Sequence, residues 1–394
     1  MPSLNVHPAV ISTERRLTQR GVLWLGLRCD VRCKFCYDEH INTGDKIWIR
    51  FEDACRALDK FRYYYQNGFI DFMGGEPTLH PQILKIVKYS AEIGLSPTVI
   101  THGMHLSDPE RAKAYADAGI HDFLVSIHGI GKTVAMIHGR GQNNFDRQMR
   151  ALDNLRSLKV PFRFNCTVIR DNLDQLEAIA ELASEKGARV VNFLTFNPYF
   201  EWSKNPEIDF QARHSEIATY LAKAIDKCME LGVEANVRYM PLCQLPGREK
   251  HVYTGFQLPY DSHEWDYNSW YDFGHPGIPS PEWYLEASRK QQQRHHYLHV
   301  PACADCAAKA ICDGFHAQYV ARWSGGEARP YSGPQLTDPC HFIKNQSKVS
   351  YSEGQSSRLW GVDERHAAAL TVTQFTDAID HRAGVKRGLP GTRH

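Results

Sequence analysis

The chain has 394 residues with 46 lysines and arginines against 45 aspartates and glutamates, and this net charge of +1 gives no indication of a nucleic-acid or anionic membrane partner. It contains no apolar stretch of membrane-spanning length and no signal peptide, because the N-terminal segment is short and polar. Eleven cysteines without a secretory signal favour reduced thiols and bound metal over disulfides, and therefore a cytoplasmic protein.

Short apolar runs alternate with amphipathic stretches up to about residue 231. We expect six strands at residues 21–27, 68–73, 97–101, 122–127, 162–168 and 189–195. We expect helices at residues 52–66, 82–93, 108–118, 144–158, 173–186 and 209–231. This alternation indicates parallel βα units with both faces of the sheet covered. The predicted fold class is α/β, a partial (β/α)6 TIM-like barrel followed by a small cysteine-rich domain.

In barrels of this kind the active site lies at the carboxyl ends of the strands. The chemically interesting residues of this chain fall at those ends: a cysteine loop follows the first strand and a glycine-rich motif follows the second. Single polar residues lie at the ends of the next four strands, at Thr101, Ser126, His128, Asn165 and Asn192. For each of these residues, the alternative to a role in the active site is an ordinary structural role.

The pattern breaks after about residue 232. Residues 251–300 are too aromatic for a disordered linker, and we expect a loop-rich cover across the barrel mouth. The acidic residues of this cover are candidates for binding substrate, although a cover that only excludes water is an equal alternative; they are Asp261, Glu264, Asp266 and Asp272. The predicted divisions are an extension at 1–19, the barrel at 20–231, the cysteine-rich domain at 232–345 and a tail at 346–394.

The most informative motif is Cys29-x3-Cys33-x2-Cys36, directly after the first predicted strand. Three thiolates from one short loop can hold three irons of a [4Fe-4S] cube and leave the fourth iron open for chemistry. A structural zinc knuckle is the alternative. Zinc sites usually pair one C-x2-C with a second, however, and the next cysteine in the chain is Cys55.

The second motif, Gly74-Gly75-Glu76-Pro77, follows the second predicted strand. Glycines let the backbone approach a ligand closely, and carbonyls and a carboxylate accept hydrogen bonds from a cationic amine. Taken alone, this motif would be read as a turn at the end of a strand.

Together the two motifs resemble the signature of the radical S-adenosylmethionine (AdoMet) enzymes, in which an aromatic residue, here Phe35, precedes the last cysteine. The resemblance covers roughly residues 20–230. It implies that Cys29, Cys33 and Cys36 ligate a [4Fe-4S] cluster whose open iron takes the amino and carboxylate groups of AdoMet. It further implies cleavage of AdoMet by one electron to a 5′-deoxyadenosyl radical, hydrogen abstraction from substrate, and a reductant such as flavodoxin or ferredoxin.

The resemblance also implies residues that contact AdoMet. The glycine-rich motif would hold its ammonium group, and Phe35 and Tyr37 would wall the adenine and the cluster. Similar positions in the family contact the carboxylate, ribose or adenine, which makes candidates of Thr101, Ser126, His128, Asn165 and Asn192. For His128, the alternative to a contact with AdoMet is a contact with substrate. Cys55, Cys166 and Cys228 are predicted to be buried apolar thiols.

A second cysteine motif, Cys303-x2-Cys306-x5-Cys312, has Cys243 upstream and Cys340 downstream. It resembles the auxiliary-cluster extension called SPASM or, when shortened, Twitch. We expect one auxiliary [4Fe-4S] cluster with the three motif cysteines as ligands. The fourth ligand is Cys243 or Cys340, between which spacing does not decide, and a zinc site with the same ligands is the alternative.

The chain departs from the full SPASM pattern at two positions. His316 stands where that pattern has another cysteine, and Arg238 stands where it has a glycine. The two-cluster version is therefore not expected, and His316 is a further candidate ligand.

We favour a radical AdoMet enzyme that acts on a small polar metabolite by oxidation, epimerisation, decarboxylation or rearrangement, with the auxiliary cluster as electron acceptor or substrate anchor. A peptide maturase is the second hypothesis, although the early first strand leaves no room for the N-terminal peptide-recognition domain that such enzymes often carry. An iron–sulfur electron carrier is the third, and the intact glycine-rich motif counts against it. No cobalamin-binding region precedes the barrel, which disfavours a cobalamin-dependent methyltransferase.

Overall fold

The structure is a computed structural model. It describes residues 20–36, 48–64, 67–139, 141–197, 210–255, 265–272, 297–338 and 341–343. Several predictions from the sequence lie outside these residues: the extension at 1–19, Tyr37, Asp261, Glu264, Cys340 and the tail at 346–394.

Within the described residues, one curled sheet of nine strands forms a half-barrel, and all of its neighbouring strands are parallel. The strands are β1 Arg20–Trp24, β2 Phe69–Met73, β3 Ser96–Thr101, β4 Asp122–Ser126, β5 Phe162–Val168, β6 Val190–Thr195, β7 Glu234–Arg238, β8 Val252–Tyr253 and β9 Trp265–Asp272. Strands β1 to β8 follow one another in chain order, and β9 pairs with the other edge of β1.

Helices connect the strands and cover the outer face of the sheet. They are α1 Phe51–Asp59, α2 Ile83–Glu92, α3 Pro109–Asp117, α4 Lys132–His138, α5 Asn144–Ser157, α6 Leu176–Lys186, α7 His214–Glu230 and α8 Ala317–Trp323. A turn of π-helix, Lys60–Tyr64, extends α1. The α/β class and the partial barrel are confirmed, since each predicted strand and helix has a counterpart whose ends differ by a few residues.

Side chains alternate between the two faces of each strand, and this alternation places the core. On β5, Phe162, Phe164 and Cys166 belong to the apolar core under the helices. Arg163 and Asn165 point to the inner face of the half-barrel. The helices therefore bury one face of the sheet and leave the inner face to polar side chains.

A buried ion network occupies this inner face toward the amino ends of the strands. Arg20 donates to Asp71 at 2.6 Å and to the Thr98 hydroxyl at 3.0 Å, while Arg163 Nε donates to Asp122 at 2.7 Å. Burial alone would raise the pKa of Asp122, but the charges of Arg163 and Arg20 outweigh it and lower that pKa. Paired charges thus close the end of the barrel opposite the predicted site, a feature that the sequence analysis missed.

The sheet extends past residue 231, where the apolar pattern breaks. Strand β7 was not predicted, because Glu234-Ala-Asn-Val-Arg238 alternates polar and apolar residues instead of forming a continuous apolar run. The prediction of a loop-rich cover is wrong for residues 265–272, which form β9 and hydrogen-bond to β1 at the sheet edge. The short helix α4 was also missed.

The cysteine-rich region has little regular structure. Its two short strands, β10 Tyr297–Leu298 and β11 Phe315–His316, pair antiparallel, and α8 follows directly. None of the helices in the described part of the chain combines the length and the apolar character that a membrane crossing requires.

Candidate metal centres

Three thiols leave the carboxyl end of β1 in one loop, as the motif predicts. Cys29 is buried, and Cys33 and Cys36 are half-buried. The Cys36 amide donates to the Cys33 carbonyl at 3.0 Å, so the second half of the motif forms a tight turn. Cys29 packs with Val31 and Met104, which covers it with apolar side chains.

The C-terminal end of α4 holds this loop in place. The Arg32 amide donates to the His138 carbonyl at 2.9 Å, and the Lys34 amide donates to the Ile137 carbonyl at 3.2 Å. The last carbonyls of a helix have no partner within it, which leaves them free to bind the loop. A Cβ at Gly139, whose φ is +66°, would lie 2.9 Å from the Arg32 carbonyl oxygen, so loop and helix end are in close contact.

Burial sets the charge state of the loop thiols. It raises the pKa of Cys33 to about 12, with the charge of Cys36 adding to the effect, and it also raises the pKa of Cys29. Such thiols stay protonated at neutral pH unless a cation compensates the thiolate charge. Burial also raises the pKa of Cys166 and Cys228, but each of these thiols lies by itself in the core. The convergence of three thiols in one loop is therefore what fits a metal cluster.

The glycine-rich motif after β2 touches the cysteine loop directly. The Glu76 amide donates to the Arg28 carbonyl at 2.8 Å. Gly74 and Gly75 have φ values of +96° and +52°, and a Cβ at Gly75 would lie 2.3 Å from the Arg28 carbonyl oxygen. Only glycine permits this close approach of the two motifs.

The Glu76 carboxylate is 1% exposed and uses both of its oxygens inside the protein. Oε1 accepts from the Thr78 amide at 3.1 Å, from the Thr78 hydroxyl at 2.5 Å and from the Thr101 hydroxyl at 2.6 Å. Oε2 accepts from the His102 amide at 2.9 Å. The carboxylate thus ties the end of β2 to the end of β3. A ligand ammonium would accordingly meet main-chain carbonyls of the motif.

Asp30 joins the cysteine loop to the segment after β3. Its carboxylate lies 2.7 Å from His102 Nε2 and 3.0 Å from His105 Nε2. Burial alone would raise the pKa of Asp30, but the hydrogen bonds from both imidazoles outweigh it and lower that pKa. Cys29, Asp30 and His102 each offer a metal-ligand atom, and these atoms lie within 4.8 Å of one another. The Asp30–His102 hydrogen bond accounts for part of this proximity.

Four histidines form a row beside the loop. The ring centroids are 5.4 Å apart for His105 and His102, 6.4 Å for His102 and His138, and 6.3 Å for His138 and His128. The row ends at Phe35, whose ring meets the His128 ring edge-on at 4.8 Å. Two predicted site residues, Phe35 and His128, are therefore in contact.

His128 is neutral in this environment. Burial and the nearby His138 lower the pKa of His128 to about 3. Its Nδ1 accepts from the Thr167 amide at 3.1 Å, and its carbonyl accepts from Asn172 at 2.7 Å. The Nδ1 atom of His128 is thus hydrogen-bonded to the backbone of β5.

Ser126, Asn165, Asn192 and Asn236 occupy matching positions on four adjacent strands. Residues in register on parallel strands point to the same side, so these four form a polar row on the inner face. Asn236 Nδ2 donates to Asn192 Oδ1 at 2.9 Å. The sequence predicted the first three and missed Asn236, although the alternation of β7 is a signal that would have placed it on the inner face.

A second group of thiols converges in the cysteine-rich region. Cys243, Cys303, Cys306 and Cys312 line one cavity. Cys243 belongs to the 3-10 turn Leu242–Gln244 after β7, whereas the other three lie between β10 and β11. Four thiols at one cavity are a donor set that fits an iron–sulfur cluster or a zinc ion.

The sequence left Cys243 and Cys340 as alternatives for the fourth position of this group. The structure brings Cys243 to the three motif cysteines, while Cys340 lies outside the described residues. His316 is absent from the described lining of the cavity. Its Nδ1 accepts from the Gln318 amide at 3.3 Å, and it caps α8.

Contacts between α7 and α8 fasten this region to the barrel. The His214 amide donates to the Tyr319 hydroxyl at 2.8 Å, and the two rings stack at 3.8 Å. Glu327 accepts from both the Tyr319 and the Ser215 hydroxyl. The thiol cavity is therefore held at a defined position against α7.

The structure is that of an α/β protein with a parallel half-barrel, in which a three-thiol loop lies against a glycine-rich motif and offers a donor set that fits a metal cluster. Residues 25–183 match the model of the Radical SAM superfamily. Within this range the chain thus resembles a radical SAM domain, and the range includes both the cysteine loop and the glycine-rich motif. The cofactors of this superfamily are a [4Fe-4S] cluster and AdoMet, and its members are enzymes.

Two kinds of curated relative illustrate the range of this superfamily. A PqqA peptide cyclase of Ruegeria pomeroyi is 28% identical over 194 residues, covering 48% of this chain and 47% of the relative. An AdoMet-dependent heme synthase of Methanosarcina barkeri is 32% identical over 170 residues, covering 43% of this chain and 48% of the relative. The chain thus spans about half the length of the curated relatives it matches.

A similar fold extends over most of the chain. The solved structure of native anSMEcpe with bound AdoMet and Kp18Cys peptide superposes with a TM-score of 0.51 at 16% identity. The match covers 92% of this chain and 99% of that one. At this identity the likeness concerns the fold alone.

Proposed function

We propose that this chain is a radical AdoMet enzyme in which Cys29, Cys33 and Cys36 ligate the AdoMet-binding cluster. The observation that carries the proposal is the hydrogen bond from the Glu76 amide to the Arg28 carbonyl, because it joins the two motifs at one place. When bound, the cluster and AdoMet supply one-electron cleavage of AdoMet and hydrogen abstraction from substrate.

The protein's own residues would prepare the site for this chemistry. The carbonyls at the end of α4 hold the cysteine loop, and the buried Glu76 carboxylate holds the glycine-rich motif so that its carbonyls can bind an ammonium. Phe35 and the neutral His128 form an aromatic wall that excludes water. The row from Ser126 to Asn236 offers hydroxyl and amide groups to AdoMet or substrate.

The proposal includes two candidate classes of substrate. Our first candidate is a small polar metabolite, supported by the polar row on the inner face. The second is a peptide, supported by the similarity to proteins named PqqA peptide cyclase. The comparisons favour the peptide at least as much as the metabolite.

We also propose one auxiliary [4Fe-4S] cluster, with Cys243 as the fourth ligand beside Cys303, Cys306 and Cys312. The shared cavity of these thiols supports the assignment. Such a cluster would accept an electron or anchor the substrate. Zinc in the same place is the competing assignment, and the iron content distinguishes the two.

The proposed electron donor is a small acidic protein such as a flavodoxin or ferredoxin. Arg28 and Arg32 are exposed on the cysteine loop, whereas the half-buried Lys34 is paired with Asp171, so the two arginines are the positive charges that this loop offers to an acidic donor. Because the cysteines of the described segments are free thiols, we propose a reducing compartment, the cytoplasm.

The test combines iron and sulfide content after anaerobic reconstitution with an assay for 5′-deoxyadenosine under dithionite. Eight irons per chain and 5′-deoxyadenosine formation are expected for two [4Fe-4S] clusters. Alanine at Cys29, Cys33 and Cys36 should abolish AdoMet cleavage and leave the second cluster. Alanine at Cys303 and Cys306 should leave AdoMet cleavage at least partly intact.

Cys55→Ala is the matched control, since Cys55 lies on α1 and belongs to neither thiol group; it is half-buried there, so the prediction that it is a buried thiol is wrong. The variant should keep both clusters. Four irons per chain together with zinc would mean that the second group of cysteines holds zinc, and the auxiliary cluster would be rejected. Eight irons without AdoMet cleavage, even with candidate substrates, would favour an electron carrier.

A further inference from the structure

Gln244 directly follows Cys243 and lies against its sulfur. Its side-chain Nε2 donates to Cys243 Sγ at 3.4 Å and to the Glu327 carbonyl at 2.7 Å. Gln244 is 7% exposed, and both of its hydrogen bonds are at least partly buried. The amide is therefore held between two acceptors inside the protein.

The chemistry of these two neighbours determines which end of the amide faces the sulfur. A main-chain carbonyl only accepts hydrogen bonds, and a metal-bound thiolate likewise only accepts them. The nitrogen of Gln244, with its two hydrogens, satisfies both partners, whereas its oxygen would satisfy neither. The N–H group must consequently point at Cys243 Sγ whenever that thiol is deprotonated.

Two other thiols of the cavity receive main-chain donors. The Tyr331 amide donates to Cys306 Sγ at 3.3 Å, and the Gly314 amide donates to Cys312 Sγ at 3.4 Å. Substitution of a side chain cannot remove these amides. Gln244 supplies the same type of contact from a side chain, which makes its effect accessible to mutation.

We propose that Gln244 raises the reduction potential of the auxiliary cluster and so makes it a better electron acceptor; the inference rests on the proposed cluster at Cys243, Cys303, Cys306 and Cys312. Reduction adds negative charge to the cluster and its thiolates. Hydrogen bonds to the sulfurs stabilise this charge and are among the features that set the potential of such clusters. Gln244 is thus a tuning residue and has no contact with substrate in this proposal.

The position of Gln244 is also fixed by contacts that Glu327 makes with the rest of the protein. Glu327, whose carbonyl holds Gln244, accepts from the hydroxyls of Tyr319 and Ser215 through its side chain. This chain of contacts runs from the cavity to α7. These contacts fix the segment after α8 that carries Glu327, and with it the carbonyl that orients Gln244.

The experiment is a redox titration of the reconstituted two-cluster protein, monitored by electron paramagnetic resonance. Gln244→Met keeps the length of the side chain and removes its N–H groups. We expect the equilibrium constant for reducing the auxiliary cluster to fall by roughly tenfold, a lowering of the potential by about 59 mV for one electron. The potential of the Cys29–Cys33–Cys36 cluster should stay unchanged.

Gln335→Met is the matched control. Gln335 Nε2 donates at 3.2 Å to the Cys306 carbonyl and thus binds a ligand residue through its backbone. This variant should keep the wild-type potential. An unchanged auxiliary potential in Gln244→Met, or equal shifts in both variants, would overturn the inference.

A second measurement covers the case in which Gln244→Met fails to assemble the cluster. Wild-type protein carrying 15N in its glutamine side chains should show a nitrogen coupling to the reduced auxiliary cluster in pulsed resonance spectra, and absence of this coupling would overturn the inference. A wild-type protein that binds zinc at these cysteines would instead refute the proposed auxiliary cluster itself. The two failures are therefore distinguishable.

Discussion

The main-chain amide of Glu76 donates to the carbonyl of Arg28 at 2.8 Å, and this bond joins the glycine-rich motif to the cysteine loop. The two motifs come from the ends of neighbouring strands β1 and β2. Because the bond is between main-chain groups, it depends on how closely the two backbones approach. The absence of a side chain at Gly75 and the anchoring of Glu76 should accordingly control the geometry of the site.

Gly75→Ala should disrupt AdoMet binding. The new Cβ would lie 2.3 Å from the Arg28 carbonyl oxygen, so either the loop or the motif must move. We expect AdoMet to bind more weakly by roughly tenfold or more, measured by equilibrium dialysis of the reconstituted protein. Gly187→Ala is the control, since Gly187 also has positive φ but has nothing within 4 Å of an added Cβ. Equal loss of binding in both variants would contradict the close-approach argument.

Thr101→Val should weaken the site through Glu76. The variant keeps the shape of the side chain and leaves the buried Oε1 with one donor fewer, at a cost of about 1–3 kcal/mol of stability. The melting temperature and iron content of the reconstituted protein measure the effect. Thr101→Ser retains the hydroxyl and should recover most of the loss. If serine behaved like valine, the hydroxyl-to-carboxylate bond would not be the cause.

Arg163→Met should destabilise the barrel strongly. Removing this guanidinium from the buried network withdraws the main partner of Asp122 and should cost about 3–5 kcal/mol. Lys113→Met breaks an exposed pair with Asp117 at 2.5 Å and should leave the melting temperature close to that of wild type, because water screens exposed charges. Thermal melting of both variants checks the contrast. Similar small losses would mean that the ion network contributes little.

Stability should decline in mild acid partly because of His214. Burial and the nearby His316 lower the pKa of His214 to about 3 from an ordinary value of 6.5. Below about pH 6.5 the unfolded chain binds a proton that the folded protein excludes until about pH 3, so this contribution to stability is present above pH 6.5 and lost as the pH falls. The loss should reach about 3 kcal/mol at pH 4.5.

His214→Phe tests this pH dependence because phenylalanine preserves the stacking on Tyr319, where the ring centroids are 3.8 Å apart. The variant should lose less stability than wild type between pH 6.5 and 4.5. The measurement is the melting temperature across this range under anaerobic conditions. Parallel curves for the two proteins would rule out His214 as a source of the acid sensitivity.

The sequence by itself determined the alternation of strands and helices up to residue 231 and the thiol loop after β1. Both depend on short-range information: an apolar run or an amphipathic period spans one element, and a C-x3-C-x2-C spacing spans one loop. The prediction failed at β7 and α4 for the same reason. A strand with alternating polarity and a seven-residue helix carry too little local signal.

The tertiary structure alone decided which distant residues meet. It brought Cys243 to the cavity of Cys303, Cys306 and Cys312, placed Asn236 beside Asn192, and turned the Glu76 carboxylate toward Thr101. Motif spacing contains no information on strand register or on the direction of a side chain relative to a distant loop. These contacts depend on how the sheet curls and how α7 and α8 pack, and for that reason they emerge only from the folded chain.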